Sequence, residues 1–290
     1  MFQVIERFNQ DYTYHRTKPV HRISASELRA CVNDVFPSLD TLIHQPVRSG
    51  FRGGGFSSDY IRSQAPANAR LISFPSLQYY GYQPASLVLK NLTLEQRQKH
   101  TEIFEAAAVD TFHFTQVIRA YLEGLPATEA LKRYHDGYGD DGDFALDYAR
   151  RSLAKITAAE AAHQLDVKVA GFINDTYQSR QLFNTPRHPT SHLLVYVIDQ
   201  MAALMGLPIG EDDRVRLRRK EPLLFPSYPV QNYVREAQGL TFPGQETFRT
   251  KRRTFAIADM APAFYSFYDT LPRAQLEKAL HTYEIAAKAL

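Results

Sequence analysis

Apolar positions recur along the 290 residues in two rhythms, one early and short, the other later and long. Over residues 25 to 36, Leu28, Cys31, Val32, Val35 and Phe36 fall on one helical face. The runs "LDTLIHQPV" and "ARLISFPS" are short, apolar and interrupted by proline, as buried strands often are. Between them "RSGFRGGGFSSDYI" supplies a glycine-rich loop and then a helix, so the two strands are predicted to be joined by a crossover and to lie parallel. The stretch "YYGYQPAS" that follows reads as a loop.

From Leu94 the period becomes helical. Ile103, Phe104, Ala107, Ala108, Phe112, Val117, Ile118, Tyr121 and Leu122 share a stripe that Gly124 and Pro126 end, which predicts one long helix. A second helix is expected over 127 to 135, an acidic turn at "GYGDDGD", and a long or broken helix over 143 to 173. "SRQLFN" is strand-like, and "TSHLLVYVIDQMAALMGL" is a helix closed by Gly206 and Pro208. The predicted class is α/β: a small, mostly parallel sheet with flanking helices and a large helical remainder. With no repeat or linker in view, residues 1–290 are read as one domain, with a helical middle insertion (about 94–173) and a helical C-terminal extension (about 208–290).

Charge changes this picture little. Lys+Arg 34 against Asp+Glu 31 leaves a net +3, too weak a field to argue for nucleic acid, so any basic site must be local. One cysteine excludes an intrachain disulfide framework and suits a reducing compartment. Glu6, Arg7 and Asp11 interrupt the early apolar stretches, and no segment has the roughly 20 apolar residues that span a bilayer, so a cytoplasmic protein is expected. The sequons at Asn91 and Asn174 then carry no meaning. No metal-ligand spacing is present, and His100 and His113 are read as too far apart along their helix to be neighbours. The basic runs "RVRLRRKE" and "TKRRTF" read first as solvated faces.

The chemistry is sought at "NTPRHPTSHLL". Pro189 restricts His188 to an extended backbone just before a helix, the edge at which ligands bind in open α/β sheets. A helix N-terminus disfavours imidazolium and so suits a neutral general base; the alternative is that His188 only caps a turn. His192, one turn on, reads as packing or surface. Thr185 stands three residues ahead of His188, where hydrolases with Ser-His-Asp sites of the SGNH type place an aspartate.

Taken together, "LFNTPRHPTSHLL", "LIHQPVRSGFRG", "LISFPSLQYYGYQP" and "SLAKITAAEAAHQLDVKVAGFI", spread from about residue 20 to 207, resemble the WcbI-type polysaccharide biosynthesis proteins, regarded as coenzyme A-binding acetyltransferases. The counterparts of the family pattern are Gln45 with Phe51 and Arg52, then Pro75-Ser76 with Gly81-Tyr82-Gln83-Pro84, then His188-Pro189. Ser76 replaces the usual Asn and Gln83 the usual His. The family's opening strand and Gly-Asn-Cys-Gln turn have no counterpart, since Met1 begins in what reads as the following helix, "FQVIERF". Either the sequence begins downstream of the true start or this member lacks the family nucleophile. Cys31 shares an aliphatic helix face, where a thiolate is disfavoured.

The resemblance implies an SGNH-hydrolase-like core and an acetyl coenzyme A-dependent O-acetyltransferase acting on a sugar or polysaccharide precursor. In it His188 is the base, and Gln45 and Ser76 donate to the oxyanion. Arg52 and Arg187 are the candidate contacts to the coenzyme phosphates, with Tyr80 and Tyr82 stacking on adenine or sugar beside Tyr79. Two alternatives stay open: an esterase or deacetylase that needs no coenzyme, and a non-catalytic glycan- or nucleotide-binding protein. The acceptor, a homo-oligomeric state and the role of residues 208–290, either a packing cover or a dimer surface, are likewise open.

Overall fold

A computed structural model describes residues 13, 15–18, 22–106, 112–138, 141–207, 209–219, 223–250 and 252–288. The helix expected at "FQVIERF" lies outside the described residues. The chain forms two compact units, Met1–Ser76 with Ile156–Gly171 and Ser191–Lys220, and Leu77–Lys155 with Phe172–Thr190 and Glu221–Leu290.

The first unit contains the predicted crossover. Strands β1 (Thr41–His44) and β2 (Arg70–Ser73) are parallel, with Thr41 opposite Arg70 and His44 opposite Ser73. The connecting helix Ser58–Gln64 starts where the Ser57 hydroxyl accepts from the Tyr60 amide, so the loop ends at a capping residue. Helix Ala25–Asp34 opens with a capping box between Ser24 and Glu27, and its Leu28 packs with Ile23 and Phe56. Helix Ser191–Met205 buries Leu193, Leu194, Val197, Ile198 and Met201. Glu160, itself buried, accepts the amides of Val169 (2.6 Å) and Ala170 (2.9 Å) and so satisfies the first donors of helix Ala170–Thr176.

The second unit is built on aromatic packing. Strands β3 (Ser86–Leu87) and β4 (His113–Phe114) pair antiparallel, as do β5 (Phe183–Thr185) with β6 (His188–Pro189) and β7 (Thr247–Arg249) with β8 (Thr254–Ala256). Phe104, fully buried, has ring neighbours in His113, Phe248, Phe255, Phe264 and Phe267. Helices Thr115–Leu122, Ala127–Asp136, Ile257–Tyr268 and Arg273–Lys288 surround this core.

Three expectations need correction. The sheet is not mostly parallel: among the described residues one pair is parallel and three are antiparallel. "SRQLFN" does yield β5, but Pro186 and Arg187 form a two-residue turn that folds β6 straight back onto it, so a local partner wins over a distant one. The long helix from Leu94 is broken. It stops at Phe104, where Glu105 takes a left-handed conformation (φ 49°), and β4 intervenes before helix Thr115–Leu122. The acidic turn, in turn, is partly a helix start, because Asp141 and Asp143 lie in the first turn of helix Asp141–Ala162 and favour its positive end. Among the described residues no helix is long and apolar enough to cross a membrane.

Emptying the aromatic core should be costly: Phe104→Ala is expected to reduce the unfolding free energy by about 3–5 kcal/mol. Urea denaturation followed by fluorescence measures it, and a loss under about 1 kcal/mol would mean that this ring does not anchor the unit.

Candidate functional site

The turn that displaced β5 also places the candidate base. His188 is half-buried in β6, and its Nδ1 lies 2.6 Å from Oγ1 of Thr185, three residues earlier in the hairpin. Thr185 Oγ1 also accepts the Arg187 amide at 3.3 Å, so one hydroxyl braces both ends of the turn. Pro189 belongs to the strand, and the helix begins two residues later at Ser191.

Beside this hairpin the second unit holds a cavity of about 830 Å³, a volume typical of small-molecule sites. One wall is the segment from Gln78 to Asn91, including Tyr80 and Lys90. Tyr148 and Lys155, seven residues apart on one helix, form a second, and Arg187 with Phe112 a third. The Arg187 guanidinium sits 5.7 Å from the Phe112 ring centroid, a cation–π distance. Helix Arg273–Lys288 closes the remainder with Lys278 and Tyr283. Burial pushes the Tyr148 hydroxyl up to about 12, with neighbouring Tyr80 adding to the shift and Arg151 opposing it, so it stays a neutral donor.

Four cations line the cavity, Lys90, Lys155, Arg187 and Lys278, and no carboxylate does among the described residues. The run "RVRLRRKE" behaves differently. Arg214 is paired with Asp199 at 2.9 Å, Arg216 with Asp213 at 2.6 Å and Arg218 with Glu211 at 3.3 Å. In "TKRRTF", Arg253 stacks 4.4 Å over Phe255 and donates to the Ile103 carbonyl. Arg214, Arg216, Arg218 and Arg253 are therefore satisfied by their own surroundings.

The other candidates fall in both units. Tyr80 is half-buried at the cavity, and its amide donates to Ser152 Oγ at 3.0 Å. Tyr82, by contrast, is 2% exposed and donates its hydroxyl to the Tyr177 carbonyl at 2.7 Å, a packing role in place of the expected stacking one. Tyr79 is equally buried, with its ring edge-on to Tyr82. Gln83 is buried, with Nε2 3.4 Å from the Asn184 carbonyl. In the first unit, Gln45 follows β1 and donates to the Pro75 carbonyl at 3.3 Å, while Ser76 is exposed three residues beyond β2. Arg52, at φ 48°, donates to the Ile23 carbonyl at 2.6 Å and covers the Phe56 ring, which braces the glycine-rich loop. Cys31 is half-buried, less than its helix stripe implied, and burial followed by Asp34 raises its thiol.

Two groupings escaped the sequence. Ser73 gives its amide and hydroxyl to Asp166 Oδ2, each at 2.7 Å, but Ser73 is 1% exposed and this pair ties a loop to β2. His100 and His113 are not remote: the helix break brings their rings to 5.7 Å, fully buried among Phe104, Phe264 and Phe267. Among the described residues no three His, Cys, Asp or Glu side chains gather as metal ligands.

With this geometry in hand, comparison with known proteins is decisive. The model of the family described as polysaccharide biosynthesis enzyme WcbI matches residues 1–209. The chain belongs to the WcbI family. A solved structure described as WcbI, a novel polysaccharide biosynthesis enzyme, in a native form without a disulfide bond between coenzyme A and a cysteine, has the same fold. It superposes with a TM-score of 0.72 at 16% identity, covering 94% of this WcbI-family chain and 86% of that one. No curated protein matches the sequence.

The histidine pair gives this WcbI-family chain a pH signature. Burial holds His100 down at about 4, against 6.5 when exposed, and holds His113 well below its ordinary value, with His100 adding to the effect. The unfolded chain therefore takes up protons first as the pH falls from 6.5 towards 4, so the unfolding free energy should drop through that window, and His113 extends the fall to lower pH. Urea titrations at stepped pH check this, and His100→Phe should flatten the dependence; an unchanged slope in the variant would acquit the pair.

Proposed function

We propose that the chain transfers an acetyl group from coenzyme A to a hydroxyl of a sugar or polysaccharide precursor, on an α/β core of the SGNH type. The observation that carries this is the cavity with four cations, no carboxylate among the described residues and the aromatic faces of Tyr80, Phe112 and Tyr148. A pyrophosphate needs cationic donors and an adenine needs a flat apolar surface, and these walls offer both. Membership of a polysaccharide biosynthesis family, and the coenzyme A named with its solved relative, point the same way.

Bound there, acetyl coenzyme A supplies a thioester carbonyl as the acyl donor. Lys90, Lys155, Arg187 and Lys278 hold its phosphates. His188, the first residue of β6 and the one after Arg187 in the turn, acts as the base. In the tautomer with Nδ1–H directed to Thr185 Oγ1, Nε2 is the ring nitrogen that takes the proton of the acceptor hydroxyl. The hydroxyl oxygen bonds to the acetyl carbon as the carbon–sulfur bond breaks, and the proton passes from His188 to the departing thiolate.

Coenzyme A at roughly a hundred times its Kd should stabilise the protein by about 2.7 kcal/mol in thermal unfolding, and no stabilisation would favour a coenzyme-free esterase instead. His188→Ala should abolish acetyl transfer while coenzyme A still binds. Thr185→Val keeps the shape and removes the hydroxyl, so a fall in kcat of roughly tenfold or more is expected with KM little changed. Full turnover by His188→Ala would remove the histidine from the reaction.

A further inference from the structure

The C-terminal helix Arg273–Lys288 has two faces of different character. Leu276, Leu280 and Ala287 are buried in the manner of any packed helix. The residues it turns to the cavity, Ala274, Lys278, Ala279, Thr282, Tyr283 and Ala286, also recur at helical spacing, yet they are small or polar. A face meant for packing would carry large aliphatic groups, whereas this one lines a half-open recess with most of its residues exposed to solvent. The helix is also pinned along its length. Gln96 donates to Gln275 at 3.3 Å, the Tyr283 hydroxyl donates to the Pro84 carbonyl, Arg119 pairs with Glu284 at 3.0 Å, and Arg151 donates to the Ala287 carbonyl at 2.6 Å. This wall lies outside residues 1–209, the part that the family model matches.

We propose that this helix is the ligand-selecting wall of the cavity: Lys278, together with Lys90, recognises a phosphomonoester on a nucleotide ligand, and Ala274, Ala279 and Ala286 leave room for it. The inference rests on the reading that the cavity takes coenzyme A, and deepens it by naming the feature that is read. Both lysines are exposed at the cavity, and no carboxylate among the described residues pairs with either. Nothing anionic therefore needs to be displaced when a phosphate arrives. A phosphomonoester carries nearly two charges at neutral pH, more than either phosphate of a diester-linked pyrophosphate, so a lysine pair discriminates for it most strongly. Coenzyme A has such a group on its ribose, and dephospho-coenzyme A differs only by lacking it.

Calorimetric titration of the full chain with coenzyme A and with dephospho-coenzyme A tests this. The wild-type chain should bind coenzyme A roughly tenfold tighter or more, and Lys278→Gln should remove most of that preference by weakening coenzyme A while leaving dephospho-coenzyme A within about twofold. Lys278→Met, which keeps the aliphatic stem, and Lys90→Gln should do the same, and an unaltered circular dichroism spectrum separates the loss of a charge from the loss of fold. Equal affinity for the two ligands in the wild-type chain, or an unchanged preference in all three variants, overturns the proposal while the cavity reading stands. If the wild-type chain binds neither ligand, both readings fall.

Discussion

Proline at 186 can occupy only a narrow band of φ, and that restriction closes the hairpin on which the candidate site depends. With the turn fixed, Thr185 and His188 face each other across it and the shared hydroxyl holds the ring. Arg187, at the tip, is committed to the cavity and rests on Phe112. The Pro186 carbonyl accepts the Tyr79 amide at 3.0 Å, which ties the tyrosine loop to the same turn and sets Tyr80 at the cavity while Tyr79 and Tyr82 go into the packing. The turn and the places of His188, Arg187 and Tyr80 are thus consequences of one backbone constraint.

The crossover of the first unit was legible in the sequence because every signal for it is local: two apolar runs, a glycine-rich loop and a serine cap at the right spacing. The helical stripe from Leu94 misled because periodicity reports which residues are buried and says nothing about whether the backbone between them is continuous. Phe104 and Phe112 keep the phase of a single helix and are both buried, but they reach the core from a helix end and from the residue before a strand. The same break hides the His100–His113 contact, which no spacing rule could supply. Tyr80 and Tyr82 differ by two positions and have opposite environments. Only the hydroxyl partners of Tyr82, carbonyls nearly a hundred residues away, decide which of them is packed.

The C-terminal helix was less legible for a different reason. Its buried positions, Leu276 and Leu280, advertise packing, and small residues on the other face look like ordinary helix formers. Alanine and threonine at helical spacing become informative only once a volume is seen beside them. A stripe of this kind, small and polar where a packed helix is large and apolar, is the one sequence signal that could have drawn attention to the segment.

Net charge hides the electrostatic division of the molecule. A sum of +3 reflects near cancellation, but cancellation is local in some places and absent in others. Helix Glu211–Arg218 opens with three acids and continues with arginines that meet carboxylates within 4 Å, one of them Asp199 on helix Ser191–Met205, and exposed pairs of that kind contribute little beyond solubility. Around the cavity, Lys90, Lys155, Arg187 and Lys278 come from four separate stretches of chain, and their like charges add around one recess. The cationic character of this recess is therefore a product of tertiary structure: Arg214, Arg216 and Arg218 of the basic run are spent on neighbouring carboxylates, while cations scattered along the sequence line one cavity.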